Sequence, residues 1–317
     1  MLSNFWYGMK TLLLQLSYKH RPFTEIPKQE NKVAIVTGGN AGIGYETVKG
    51  LCRAGVSVTM ACRSEEKANE AIKMLKNEQP NAKVRYMNLD LGSLSSVKDF
   101  ANKFQETESN LHILVNNAGI MHPPYGQTKD GFELQLGINH LGHFALTLLL
   151  LDVIKRSGSE GNCARVVTVS SSAHAAGTIN FQDLQSQKSY CPYQAYSQSK
   201  LANILFTYAL QRRLTNEGCH VTANALHPGV VNTELFRYIP WILQSVKNLI
   251  GNFVFWTPEQ GASTSLFACL SSDMEDIGGK YLSNCEATGS IDESYDEDIQ
   301  ERLWNLSCEL TRVGKDM

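Results

Sequence analysis

From Lys32 onward the chain alternates between short β-branched runs and amphipathic stretches, and this rhythm constrains the fold more than any other feature. The runs "KVAIVT" (32–37), "VSVTMA" (56–61), "KVRYMNL" (83–89), "HILVN" (112–116), "RVVTVSS" (165–171) and "VTANALH" (221–227) read as strands. Several are apolar without alternation, as parallel strands covered on both faces are. Helical periodicity falls between them, over 43–54, 64–79, 94–107, 130–156 and 193–217. Strand alternating with helix requires crossover connections, which predicts an α/β protein: a single Rossmann-type, doubly wound parallel sheet with helices on both faces. In such sheets ligands lie beyond the carboxyl ends of the strands. The residues at those ends are "TGGNAGIG", "CRS", "DLG", "NNAG", "SSSAH" and "HPGVVNT", so the polar and glycine-rich strings fall where a site belongs.

The first of these strings, 37–44, leads from a strand into a helix. Its glycines permit a tight turn and close approach of the backbone, and a helix N-terminus offers unpaired N–H groups to a pyrophosphate. Thr37, Gly38, Asn40, Gly42, Ile43 and Gly44 are therefore candidate cofactor-binding residues. At the tip of the second strand an acid would bind a ribose hydroxyl and an arginine a 2′-phosphate. Arg63 stands there, although Glu65 and Glu66 are close, so NADP(H) is the expected cofactor.

The segment "SYCPYQAYSQSK" (189–200) contains three tyrosines and a lysine. Pro192 suits a first helical turn, so a helix over 193–213 is expected. On it Tyr196 and Lys200 are one turn apart, with Cβ atoms about 6 Å from each other. Tyr193 is two turns from the lysine, about 10.5 Å along the axis, and Tyr190 precedes the helix. Distance selects Tyr196, whose phenol an ammonium and an oxidised nicotinamide would depress toward neutrality for acid–base work. The same spacing recurs at Tyr45–Lys49 and Tyr125–Lys129, in settings that give it no such meaning. A carbonyl oxygen also needs a second hydrogen bond, and Ser170, Ser171 and Ser172 end a strand at the correct edge; composition does not choose among them.

Composition bounds the partners. The 317 residues carry a net charge of −2 with no basic stripe, which argues against nucleic acid, and the eight cysteines lack metal-type or disulfide-framework spacing. His140 and His143 suggest a metal only in passing, since nothing nearby completes a site; no metal is expected. Residues 1–31 form a segment distinct from the domain at 32–317. In "NFWYGMKTLLLQLSYKHR", Phe5, Met9, Leu12, Leu13 and Leu16 share a helical face, which fits a membrane-interface helix; a packed N-terminal helix or a removable signal are the alternatives. The stretch "RPFTEIPKQEN" reads as a linker. Residues 233–257 are rich in Ile, Leu, Trp and Phe at helical spacing, read either as an apolar substrate lid or as a core-packed helix.

With the glycine loop, "NNAG", the strand-end serines and the 196–200 pair in order, the chain resembles the short-chain dehydrogenase/reductase family from about 32 to 311. "ACRS", "NNAGIM", "INHLGHFALTLLLL", "SQSKLANILF" and "ERLWNLSCEL" look like its microsomal retinol dehydrogenase group, with the X-linked dehydrogenase/reductase family member a close relative. The resemblance implies that Tyr196 is the acid/base and that Lys200 holds the nicotinamide ribose. It further implies that Ser171 is the catalytic serine and that Asn139 helps fix a water in a relay toward Lys200. It assigns cofactor contacts to Asp90, Asn116 and Gly119, and through "HPGVVNT" to Pro228, Gly229, Val231 and Thr233. The expected activity is oxidoreduction between a lipophilic alcohol and its aldehyde or ketone, retinol and retinal first, a polyprenol or dolichal substrate second. A non-catalytic NADP(H)-binding scaffold is the rival from another class. An endoplasmic reticulum or other intracellular membrane, a cytosolic domain and a homodimer through 130–156 and 193–217 are implied as well.

Overall fold

A computed structural model describes residues 19–232 and 255–314. The lid expected at 233–257 therefore lies outside the described residues except for its last three positions, and so do Thr233 and the N-terminal helix over 1–18.

Eight strands form one sheet: β1 (Val33–Thr37), β2 (Ser57–Cys62), β3 (Val84–Asn88), β4 (Ile113–Asn116), β5 (Ala164–Val169), β6 (Val221–His227), β7 (Tyr281–Ser283) and β8 (Glu286–Thr288). Their spatial order is β3-β2-β1-β4-β5-β6-β7-β8, parallel throughout except for the final β7–β8 hairpin. The chain winds outward from β1 in one direction, then resumes at β4 on its other side. The crevice between β1 and β4 is thus the topological switch point where such sheets bind ligands.

Alternation along the strands builds two cores. Ile35 of β1 faces one side of the sheet and packs in a cluster with Phe100, Phe144, Phe206 and Trp304. Ala34 and Val36 face the other, with Val48, Leu51, Leu75 and Leu266. The first face is covered by α3 (Leu94–Thr107), α4 (Leu134–Leu149), α5 (Leu151–Ser157) and α6 (Pro192–Asn216), with α8 (Glu297–Thr311) packed on α6. The second is covered by α1 (Gly42–Arg53), α2 (Glu65–Glu78) and α7 (Pro258–Leu270). This is the doubly wound, two-faced arrangement expected.

Local chemistry sets the helix ends. Ser64 accepts a hydrogen bond from the Lys67 N–H to start α2, and Asp296 accepts from the N–H groups of Asp298 and Ile299 to start α8. Thr257 and Gln260 form a reciprocal capping box ahead of Pro258. The helix expected over 130–156 is shorter and broken. The Glu133 carboxylate takes the N–H groups of Gln135 and Leu136, so α4 begins only at Leu134. It widens into a π-helical turn at Gly137–Leu141 and bends by 57° before α5. Among the described residues no single helix is long and apolar enough to cross a membrane.

The stretch expected as a linker is laid on the domain. Phe23 and Ile26 pack against the second core, and the Gln29 N–H donates to the Ala54 carbonyl at 2.7 Å.

Candidate active site

A cavity of about 960 Å³ opens at the carboxyl edge of the sheet, bounded by the glycine loop, the turns after β2, β4, β5 and β6, and the start of α6. Gly38, Asn40, Gly42, Ile43 and Gly44 line it, as do Arg63, Asp90, Gly119, Pro228, Gly229 and Val231. The loop is built for close approach: a Cβ on Gly44 would lie 2.3 Å from the Gly38 carbonyl oxygen. Gly38 and Gly42 have φ of 65° and 54°, which glycine adopts without strain. A dinucleotide fits these residues, with the N-terminus of α1 open to its pyrophosphate.

Two expected cofactor residues do not face the cavity. Thr37 is fully buried; its hydroxyl oxygen accepts the N–H groups of Asn117 and Ala118, both at 2.9 Å, so it ties the glycine loop to the turn after β4. Asn116 turns into the core, where its amide donates to the Thr147 hydroxyl at 2.9 Å. Alternation along β4 reverses the face at each residue, and it is Asn117 that lines the cavity, its amide donating to the Thr37 carbonyl at 2.8 Å. Asp90 lines the cavity while paired with Lys129 at 3.1 Å.

Tyr196 and Lys200 project from α6 into the inner end of the cavity, both 4% exposed, with the ammonium 5.7 Å from the phenol ring centroid. The Lys200 ammonium donates to the Val169 carbonyl at 2.9 Å, and burial pulls its pKa down to about 8. The depression expected from the neighbouring ammonium is not found. Burial pushes Tyr196 up to about 12, because desolvation of a phenolate outweighs the hydrogen bond from Ser171, and the neighbouring Tyr193 adds to the rise. The other two Tyr–Lys spacings are coincidences: Lys49 pairs with Glu78 at 2.5 Å and Lys129 with Asp90.

The three serines separate cleanly. Ser170 spends its hydroxyl on the Lys200 carbonyl at 2.7 Å, whereas Ser171 partners the Tyr196 phenol; Ser172 lies one residue further along the cavity wall. Asn139 sits beneath the cavity in the π-helical turn. Its amide oxygen accepts from the Ile120 N–H at 2.9 Å, and its amide donates to the Ile120 carbonyl and the Ser199 hydroxyl, both at 3.0 Å. π-Turns recur at functional sites, and this one presents an asparagine to the catalytic helix.

Sequence reasoning passed over His122. It follows the turn after β4 with φ of 55°, its ring standing edge-on to Tyr196 at 5.5 Å and tilted on Tyr193 at 5.6 Å. Burial lowers its pKa to about 4, so a neutral imidazole walls the cavity beside the phenol. No spacing rule marks it; its place one turn beyond a strand end was the available signal. His140 and His143 do not converge: the first bonds Ser307, the second Thr37 and Asn139.

Fold and site together define a nicotinamide-type oxidoreductase scaffold, and the chain belongs to the short chain dehydrogenase family, whose pattern it matches over residues 32–240. It is an oxidoreductase of that family. It is similar to polyprenol dehydrogenase from Homo sapiens, 47% identical over 96% of this chain and 94% of that one. It is also similar to retinol dehydrogenase 12 from Mus musculus, 46% identical over 89% and 87%. Among solved structures, an uncharacterized protein from Mycobacterium Paratuberculosis superposes with a TM-score of 0.76 at 36% identity, covering 94% of this chain and 100% of that one. The RhlG/NADP active-site complex from Pseudomonas aeruginosa does so with 0.65 at 25%, covering 84% and 97%.

Proposed function

We propose that the protein uses NADP(H) to interconvert a lipophilic alcohol and its aldehyde or ketone, with retinol and retinal as the first reading. The observation that carries the reading is the Ser171–Tyr196–Lys200 cluster at the inner end of a dinucleotide-sized cavity. When bound, the nicotinamide supplies or receives the hydride. Ser171 and Tyr196 hold the substrate oxygen between two hydroxyls. In reduction the phenol, protonated at neutral pH, gives that oxygen its proton; in oxidation it takes the proton back. Lys200 stands behind the phenol, its ammonium 5.7 Å from the ring centroid, and Asn139 acts through Ile120 and Ser199 rather than by touching substrate. Arg63 supports NADP(H): it is exposed on the cavity rim beside Lys67 and makes no ion pair among the described residues.

Polyprenol and polyprenal are a second reading, favoured by a specific observation. Similarity to polyprenol dehydrogenase covers 96% of the chain, against 89% for retinol dehydrogenase 12. Membrane association at the endoplasmic reticulum or a similar intracellular surface is part of the proposal, supported by the apolar sequence at 1–18. Turnover of retinal and of a long-chain polyprenal by detergent-extracted full chain, with NADPH and NADH in parallel, tests all of this. Expected are preference for NADPH and loss of turnover in Tyr196→Phe by about a thousandfold with cofactor binding retained. Turnover of polyprenal with none of retinal would remove the first reading, and full activity in Tyr196→Phe would remove the acid/base assignment.

A further inference from the structure

A buried chain of polar side chains and backbone carbonyls links the glycine loop to the catalytic helix, and His143 is its centre. The ring is 1% exposed, with Nδ1 3.0 Å from the Asn139 carbonyl oxygen and Nε2 2.9 Å from the Thr37 hydroxyl. A carbonyl only accepts, so Nδ1 carries the hydrogen. Burial, with the Lys200 charge adding to it, lowers the pKa of His143 to about 4, so the ring is neutral and Nε2 is bare. The Thr37 oxygen already accepts two backbone N–H groups, and its one hydrogen goes to Nε2 at 2.9 Å in preference to the Val115 carbonyl at 3.4 Å. Donor and acceptor are thus fixed at every link. Beyond Asn139 the chain continues through the Ser199 hydroxyl to the Tyr196 carbonyl, at 3.0 and 2.7 Å. The titratable groups facing His143 are Lys200 on α6 and His140 on its own helix.

We propose that His143, as the neutral Nδ1–H tautomer, is a positioning residue for the reaction. It holds the Asn139 turn in register with the Thr37 end of the glycine loop, and so keeps the seat of the cofactor aligned with Tyr196 and Lys200. The π-helical turn opens the helix here, and His143, four residues past Asn139, closes it again through its side chain. The inference rests on the roles given above to Tyr196 and Lys200.

The test has two arms on the full chain. Nitrogen-15 NMR of labelled histidine reads the tautomer without any turnover: a protonated Nδ1 and a bare Nε2, unchanged from about pH 5.5 to 9, are expected. A ring protonated on Nε2, or charged in that range, overturns the proposal. In kinetics, His143→Phe is expected to lower kcat about tenfold or more, to leave KM for the aldehyde within about threefold, and to move the pH at which kcat is half-maximal. His143→Gln, whose amide both donates and accepts, restores most of that loss. Wild-type kcat and pH profile in a folded Phe variant, or a folded Gln variant no better than Phe, overturns it; should Phe fail to fold, the Gln variant and the tautomer decide. Full activity in Tyr196→Phe with the tautomer as expected would instead overturn the proton-donor assignment alone.

Discussion

Lys200 shows how a single residue can serve catalysis at the expense of stability. Its folded pKa of about 8 lies below the ordinary 10.5, because burial disfavours the ammonium. Between those values the unfolded chain holds more protons than the folded one, so stability from this group rises with pH over the window of 8 to 10.5 and is lowest below it. Lys200→Met removes that penalty. After about 1 kcal/mol for the lost bond to Val169, the variant should be about 2 kcal/mol more stable than the parent at pH 7. The gain should vanish above pH 10.5, where neither lysine is charged, while turnover falls steeply. Denaturant titrations at the two pH values measure it, and a variant less stable at pH 7 would show that the ammonium is not destabilising. At this scale the sequence was legible where chemistry depends on spacing: one helical turn separates Tyr196 from Lys200. It was not legible where the sign depends on burial, as for the raised phenol, or on which face a strand end presents, as for Asn116 against Asn117.

At the scale of elements, β-branched runs announced β1 to β6, and the glycine spacing announced the loop into α1. The three-residue strands β7 and β8 carry too little pattern to stand out, and α7 is buried on nearly every side, so no amphipathic stripe marks it. The break in α4 comes from the Glu133 cap and the π-turn, neither of which disturbs the apolar periodicity that suggested one long helix. Glycines at element contacts separate rigid constraints from soft ones. A Cβ on Gly44 would meet the Gly38 carbonyl oxygen at 2.3 Å and the Asn117 amide at 2.5 Å; on Gly50 its three nearest atoms would all belong to the Leu266 side chain, the first at 2.5 Å. The first obstacle includes backbone in the cofactor loop, the second the end of a flexible side chain. Gly44→Ala should weaken NADPH binding by about tenfold or more, since the loop must shift by an appreciable fraction of an ångström. Gly50→Ala should cost about 1–3 kcal/mol of stability through overpacking and leave cofactor affinity within about twofold. Fluorescence titration with NADPH, beside melting curves, separates the two; equal loss of binding in both would refute the distinction.

On the scale of the whole molecule, the doubly wound sheet leaves its amino-terminal arm to do something the rhythm of the chain did not foretell. Two prolines and a polar run read as a linker because they interrupt helices, yet an extended segment can dock as firmly as a helix if it carries apolar side chains. Phe23 and Ile26 were that signal. Phe23 meets Phe267 edge-on at 5.9 Å. The Asn284 amide clasps the arm by accepting from the Arg21 N–H at 2.8 Å and donating to the Lys19 carbonyl at 3.1 Å. His20 stands edge-on to Trp256 at 4.7 Å, and a Cβ on Gly229 would lie 2.3 Å from that indole. The arm therefore braces the tryptophan that backs the cofactor loop at Pro228–Val231, joining the start of the chain to the site. A chain beginning at residue 31 should be less stable than one beginning at residue 19 by about 2–4 kcal/mol, from the apolar burial of two partly covered side chains and the lost hydrogen bonds. It should also bind NADPH more weakly, because Trp256 loses its outer support. Were the two chains to melt together and bind the cofactor equally, the arm would be a passive tether and the brace on the Gly229 loop would have to come from α7 alone.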